Sequence, residues 1–306
     1  MARIRRFRLW AGALAALSVG ACSPLDALDS LVPDDTYKRT TGIAYGEAAR
    51  HKLDVYRPLS DQTGLPVVVF FYGGSWKSGD RAGYRFVGEA MASRGIVTVV
   101  SDYRLYPEVR FPDFLHDSAA VFAWVKKNIG SFGGDVDRIY LAGHSAGAYN
   151  AVMLSVVPDY LQEAGHTPSD VCGTISLAGP IALNLLDYNT TRPIFGHVAD
   201  PDTTRPVMLV NGKTPPFLLV HGKSDGTVYP VNTEMFEAAL QKAKTPYVAS
   251  YPDGIGHYRI IAGIADPLEG MIGGQPLADK IASFVKQPND CAKALPPASL
   301  SASERQ

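Results

Sequence analysis

Four short stretches of this chain hold side chains that could perform one reaction together. Gly143-His144-Ser145-Ala146-Gly147 fits G-x-S-x-G, the pattern in which two glycines let a strand turn sharply into a helix and leave the serine hydroxyl exposed at the corner. His257 closes Asp253-Gly-Ile-Gly-His257, Asp225 closes His221-Gly-Lys-Ser-Asp225, and Gly73-Gly74-Ser75-Trp76 offers flexible backbone amides. A serine hydroxyl is a poor nucleophile. Acyl transfer therefore needs a base for its proton, an acid to orient that base, and donors for the developing oxyanion. Ser145 is the candidate nucleophile, His257 the base and Asp225 the acid. The amide of Ala146, with that of Gly74 or Ser75, fills the last. Each stretch alone also has an ordinary reading: Ser145 as a helix N-cap, His257 as a loop histidine, Asp225 as a turn aspartate before glycine, Gly73-Gly74 as a plain turn. Asp253 competes with Asp225 for the acid role, but four residues before His257 on the same turn it is badly placed to reach the far ring nitrogen.

Such groups must be brought together by the elements that carry them, and those elements can be read. Gly42–Tyr45 and His51–Tyr56 form an antiparallel strand pair that Pro58 ends. Pro66-Val-Val-Val-Phe-Phe-Tyr72 is a continuous apolar run, the mark of a strand buried on both faces. Further strands cover 95–101, 137–142, 173–178, 217–221 and 247–251. Apolar residues at 114, 121, 125 and 129 make a helical stripe, and further helices follow over 148–157, 232–243 and 276–285. This alternation predicts an α/β fold, a mostly parallel central sheet with helices on both faces, whose site lies beyond the carboxyl ends of the strands. All the candidate residues follow strands. Between Gly179 and Pro216 the pattern breaks up into prolines, polar residues and short apolar pieces, which reads as a small cap.

The 306 residues are 46% hydrophobic and 19% charged, enough for one large domain over 37–286. With 29 basic against 30 acidic residues, charge gives no reason to expect nucleic acid. Arg3, Arg5, Arg6 and Arg8 precede an apolar run from Leu9 to Ala21, too short to span a bilayer as a helix and suited to an export signal over 1–21. Residues 22–36 read as a tether, and 287–306, rich in Pro, Ala and Ser, as a disordered tail.

Two resemblances extend this reading. Val19-Gly20-Ala21-Cys22 resembles the lipobox of bacterial lipoproteins, which implies lipidation of Cys22 and a membrane anchor; Ser23 in place of an aspartate implies the outer membrane. The region from Tyr37 to Lys286 resembles the carboxylesterase branch of the α/β-hydrolases, hormone-sensitive-lipase-like and related to arylformamidases. The resemblance rests on Tyr72–Trp76, Asp102-Tyr-Arg-Leu105, Gly133–Arg138, the Ser145 elbow, His221–Asp225 and His257. The order Ser, Asp, His along the chain agrees with it. It implies a serine esterase acting on small or short-acyl esters, with no cofactor and a small-molecule ester as partner. Where such enzymes have His-Gly-Gly-Gly or His-Gly-Gly-Ala, Tyr72 replaces the histidine and Ser75 the third small residue. The alternatives are an arylformamidase or amidase of the same fold and, from another class, a non-catalytic surface lipoprotein that keeps the fold for binding.

Other residues receive supporting roles. Asp117 opens a helix where the family places a structural aspartate, and Trp76 lines the substrate pocket or packs beneath it. His144 is expected to point away from catalysis, and His51 to face solvent. His116, His166, His197 and His221 lack metal-ligand spacing. With Cys22 lipidated, Cys172 and Cys291 remain, one before a strand and one after the last helix, at the same sheet edge and so open to a disulfide.

Overall fold

A computed structural model describes residues 29, 32, 33, 35–265, 268 and 276–287. The signal over 1–21, the Cys22 acceptor, Cys291 and nearly all of the tail lie outside them. In chain order the described elements are β1 (Tyr37–Ala44), β2 (Lys52–Pro58), β3 (Leu65–Phe71), α1 (Arg85–Ala92), β4 (Val97–Ser101), α2 (Asp113–Asn128), β5 (Gly134–His144), α3 (Ala146–Val156) and α4 (Pro158–Glu163). Then come β6 (Gly173–Leu177), α5 (Arg192–Phe195), α6 (Pro206–Leu209), β7 (Phe217–Val220), α7 (Val231–Ala243), β8 (Tyr247–Ser250), α8 (His257–Ala262) and α9 (Leu277–Val285).

The strands form one sheet in the order β1-β2-β4-β3-β5-β6-β7-β8. The β1–β2 and β2–β4 pairs are antiparallel and all others parallel. This is the expected α/β architecture. Val67 to Phe71 on β3 are all buried, as their unbroken apolar run requires, each side chain adding roughly 1.5–3 kcal/mol of burial. β3 and β5 lie side by side with Phe71 opposite Gly143, so their carboxyl ends deliver the Gly73–Gly74 loop and the Ser145 elbow to one place.

The cap over 179–216 resolves into short helical turns, including α5 and α6, between the end of β6 and the start of β7. The Tyr149 hydroxyl donates to the Thr204 carbonyl, and Asn232 accepts from the amides of Ala182 and Leu183, which ties the cap to α3 and α7.

Three parts differ from the sequence reading. Helices α1 and α4 have no counterpart in the sequence reading. The stretch read as tether is docked in part: Asp29 accepts from the Phe86 amide at the start of α1, Arg85 donates to the carbonyls of Asp29 and Val32, and Val32 is buried. His51 is not a surface histidine. Its ring stacks on Tyr45, its Nδ1 accepts from the Ala48 amide, and its Nε2 lies 3.1 Å from Asp117. Asp117 braces loops as expected, since Arg104 grips its carboxylate through two nitrogens and through its backbone amide. Cys172 is disulfide-bonded, and Cys291 lies outside the described residues.

Candidate active site

The elbow follows from close packing. A Cβ at Gly143 would lie 2.3 Å from the Gly147 backbone, and one at Gly147 would lie 2.0 Å from the Phe71 carbonyl oxygen, so both positions exclude any side chain. Between them Ser145 takes φ 54° and ψ −121°, a conformation that costs roughly 1–3 kcal/mol and persists because β5 and α3 hold both ends. Its amide donates to the Leu177 carbonyl on the neighbouring strand.

Asp225 and His257 arrive on two loops laced to each other. The amides of His221, Lys223 and Ser224 donate to the carbonyls of Ser250, Pro252 and Ile255, and a Cβ at Gly222 would strike the Ile255 carbonyl oxygen at 2.1 Å. This lacing fixes both loops: His257 is the first residue of α8 and is buried. His257 Nε2 is 2.9 Å from Ser145 Oγ, and His257 Nδ1 is 2.7 Å from Asp225 Oδ2. A carboxylate only accepts, so Nδ1 carries the proton and Nε2 presents its lone pair to the serine hydroxyl. Asp253, the competing acid, instead pairs with Lys223 at the surface.

Burial opposes the charge of Asp225, yet hydrogen bonds from His221 and His257 and from the Val228 amide hold its carboxyl well below the usual carboxylate range. Its Oδ1 accepts from the amides of Thr227 and Val228. His221, which the sequence presents only as the start of a motif, donates from Nε2 to the Val228 carbonyl, accepts from Thr233 at Nδ1, and sits 3.4 Å from Asp225 Oδ2.

The Gly73–Trp76 loop, the candidate for the oxyanion donors, is fixed from below. Gly74 has φ 130°, and a Cβ there would lie 2.2 Å from the Ser78 carbonyl oxygen; Ser75 and Trp76 follow at φ 54° and 57°. The Gly74 carbonyl accepts from the amides of Lys77 and Ser78. No hydrogen bond among the described residues occupies the amides of Gly74, Ser75 or Ala146. Tyr72, the departure from the family's histidine, has its hydroxyl 2.5 Å from Arg50 Nη2, its carbonyl accepting from the Tyr103 hydroxyl, and its ring stacked on Tyr103 and Tyr84. Arg50 also donates to the Gly79 carbonyl, so one guanidinium pins both ends of the loop.

Of its two expected roles Trp76 takes packing. It is 1% exposed, its indole N–H donates to Asn150, and its ring meets Phe114, Tyr149 and Phe195, which bolts the loop to the cap.

His144 contradicts its sequence reading, because it lies directly against His257. The ring centroids are 4.8 Å apart, and His144 Nε2 donates to the His257 carbonyl at 3.0 Å. Its Nδ1 is buried without a partner. Burial, and then the neighbouring His257, push its pKa down to about 3. In the unfolded chain this side chain titrates near 6.5. The unfolded state therefore binds one more proton between about pH 6.5 and 3, and stability falls as pH is lowered through that window. Urea unfolding from pH 7 to pH 4 should show wild type losing stability faster than His144→Gln, by a slope close to one proton. Parallel curves would refute a buried neutral His144.

Among the described residues no group of three His, Cys, Asp or Glu side chains is placed to hold a metal ion. Fold and site together define an α/β-hydrolase with a serine, histidine and aspartate in line. The BD-FAE family profile matches residues 53–240, and the chain belongs to that family. A probable isoprenylcysteine alpha-carbonyl methylesterase of Oryza sativa subsp. japonica is 31% identical over 271 residues, covering 81% of this chain and 62% of its own. Esterase LipC of Mycobacterium tuberculosis is 29% identical, covering 82% and 66%. The chain thus spans about two thirds or less of the length of these relatives. Esterase B of Lactobacillus rhamnosis, in an inhibited crystal structure, superposes with a TM-score of 0.72 at 19% identity over 85% of this chain and 90% of its own.

Proposed function

We propose that this chain is a serine carboxylesterase acting on small or short-acyl esters. The observation that carries the reading is the unbroken line from Asp225 through His257 to Ser145, beneath amides that have no other partner among the described residues. His257 Nε2 takes the proton of Ser145 as Oγ attacks the ester carbonyl carbon, and Asp225 stabilises the imidazolium that forms. The carbonyl oxygen becomes an oxyanion held by Ala146 N–H and by Gly74 or Ser75 N–H. Collapse of the tetrahedral intermediate breaks the carbon–oxygen bond, and the alcohol leaves with the proton from Nε2. Water, deprotonated by the same nitrogen, then attacks the acyl-enzyme, releases the acid and restores Ser145. The esterase names of the curated relatives support this activity. The basic and apolar N-terminus ending at Cys22 supports a lipid-anchored protein of the bacterial envelope.

Hydrolysis of p-nitrophenyl esters of rising acyl length, with N-formylkynurenine alongside, tests the reading. Turnover is expected to be greatest at acetate or butyrate. Silence on every ester with turnover of the formamide would replace it by an arylformamidase, and silence on both would leave a binding protein.

A further inference from the structure

The tether meets the body at an informative place. Helix α1 follows the carboxyl end of β3, so its first turn stands on the same edge of the sheet as the Ser145 elbow. Asp29 and Val32 are held there by Arg85 and by the Phe86 amide. Further along α1 the Thr36 hydroxyl donates to Glu89, and Tyr37 pairs with Pro58 at the opposite edge. Tyr84, one residue before α1, stacks on Tyr72 of the oxyanion loop. Whatever holds residue 22 therefore pulls on the face that carries the site. The seven residues from Cys22 to Asp29 reach at most about 25 Å when fully extended.

That face also gathers apolar side chains. The exposed large hydrophobics among the described residues are Leu59, Tyr188, Met208, Tyr229, Val231, Met235 and Tyr258. Tyr188 is on the cap, Tyr229 and Val231 follow the Asp225 loop, and Tyr258 follows His257. Met208 and Met235 lie on α6 and α7, which pack together; α6 leads away from that edge, since Asn211 donates to the Val156 carbonyl at the end of α3. Leu59, at the end of β2, belongs to the opposite edge.

We propose that the acylated N-terminus holds this face against the bilayer, with Tyr188, Tyr229 and Tyr258 seated in the interface and the mouth of the site open to esters dissolved in the membrane. Aromatic side chains with one polar end suit that layer. The proposal rests on the lipid-anchor reading above and predicts short-acyl esters of lipophilic alcohols, presented from the membrane, as the substrate class.

The full-length acylated protein in phosphatidylethanolamine–phosphatidylglycerol vesicles doped with nitroxide-labelled lipid tests it, with a fluorophore on Tyr229→Cys or on Ser131→Cys. Ser131 is exposed just before β5 begins, and that strand sets it about 30 Å from the site's edge. Flotation with the vesicles and quenching at 229 but not at 131 is the expected result. Equal quenching at both, quenching only at 131, or none at either overturns the orientation. Failure to float overturns the anchor reading and the proposal together, while p-nitrophenyl ester turnover reports separately on catalysis. As a second arm, Tyr188→Ser with Tyr229→Ser should slow hydrolysis of a vesicle-embedded ester about tenfold and leave p-nitrophenyl acetate turnover unchanged. A parallel loss on both substrates contradicts docking.

Discussion

Replacing Ser145 by alanine is expected to lower kcat for p-nitrophenyl acetate about 10⁶-fold while the fold stays intact. Only Oγ is lost. The elbow's positive φ is borne equally well by an alanine Cβ, because it is Gly143 and Gly147, not residue 145, that permit the close approach of α3 to the sheet. His257 keeps Asp225 and the carbonyl contact from His144, and the amides at Gly74, Ser75 and Ala146 remain. The residual rate should therefore be that of water attacking a carbonyl polarised by the oxyanion amides, some 10³- to 10⁴-fold above the uncatalysed reaction. Steady-state kinetics and a melting curve on the same preparation check this. A variant that melts like wild type but keeps more than about one hundredth of the activity would show that Ser145 is not the nucleophile, since losing a single oxyanion donor already costs 10²- to 10³-fold.

Much of this site is legible in the sequence because its chemistry is bound to local geometry. The elbow needs two glycines at fixed spacing. The buried strand needs an unbroken apolar run, and the order of serine, aspartate and histidine follows from which strand each one ends. What escaped the sequence depends on partners far along the chain. Helix α1 was hidden by Gly88, which lowers helical propensity, and only the structure shows why a glycine stands there: a Cβ would lie 2.3 Å from the Tyr56 ring. His144 occupies the variable position of its motif, and nothing nearby announces that the His257 backbone, 113 residues later, will land on it. Trp76 follows two glycines and a serine, and that loop sequence leaves pocket lining and packing equally open. Its positive φ belongs to a turn that drives the ring inward beneath the cap. Strand alternation points His51 to solvent, but it sits just before β2 begins, where the alternation does not apply, and Asp117 claims it.

Asp225→Asn should cost about 10⁴-fold in kcat with little change in KM, and the hydrogen bonds around this residue say why. Two amides, those of Thr227 and Val228, donate to Oδ1, so the asparagine must turn its carbonyl oxygen toward them. Its NH₂ group then faces His257 Nδ1 and the Nε2–H of His221. Nδ1 must now accept, which moves the ring proton to Nε2, and the nitrogen facing Ser145 becomes a donor with no lone pair for the serine proton. Geometry is retained but the base is lost. The donor of His221 opposite the new NH₂ adds a local repulsion, so a drop in melting temperature of a few degrees should accompany the change. The diagnostic is the split between the two parameters: a fall confined to kcat marks the wrong tautomer, whereas a rise in KM with kcat preserved would mean that Asp225 shapes the pocket. A loss of only tenfold would show that the imidazole draws its orientation elsewhere, which in this site leaves the carbonyl contact of His144 as the group to remove next.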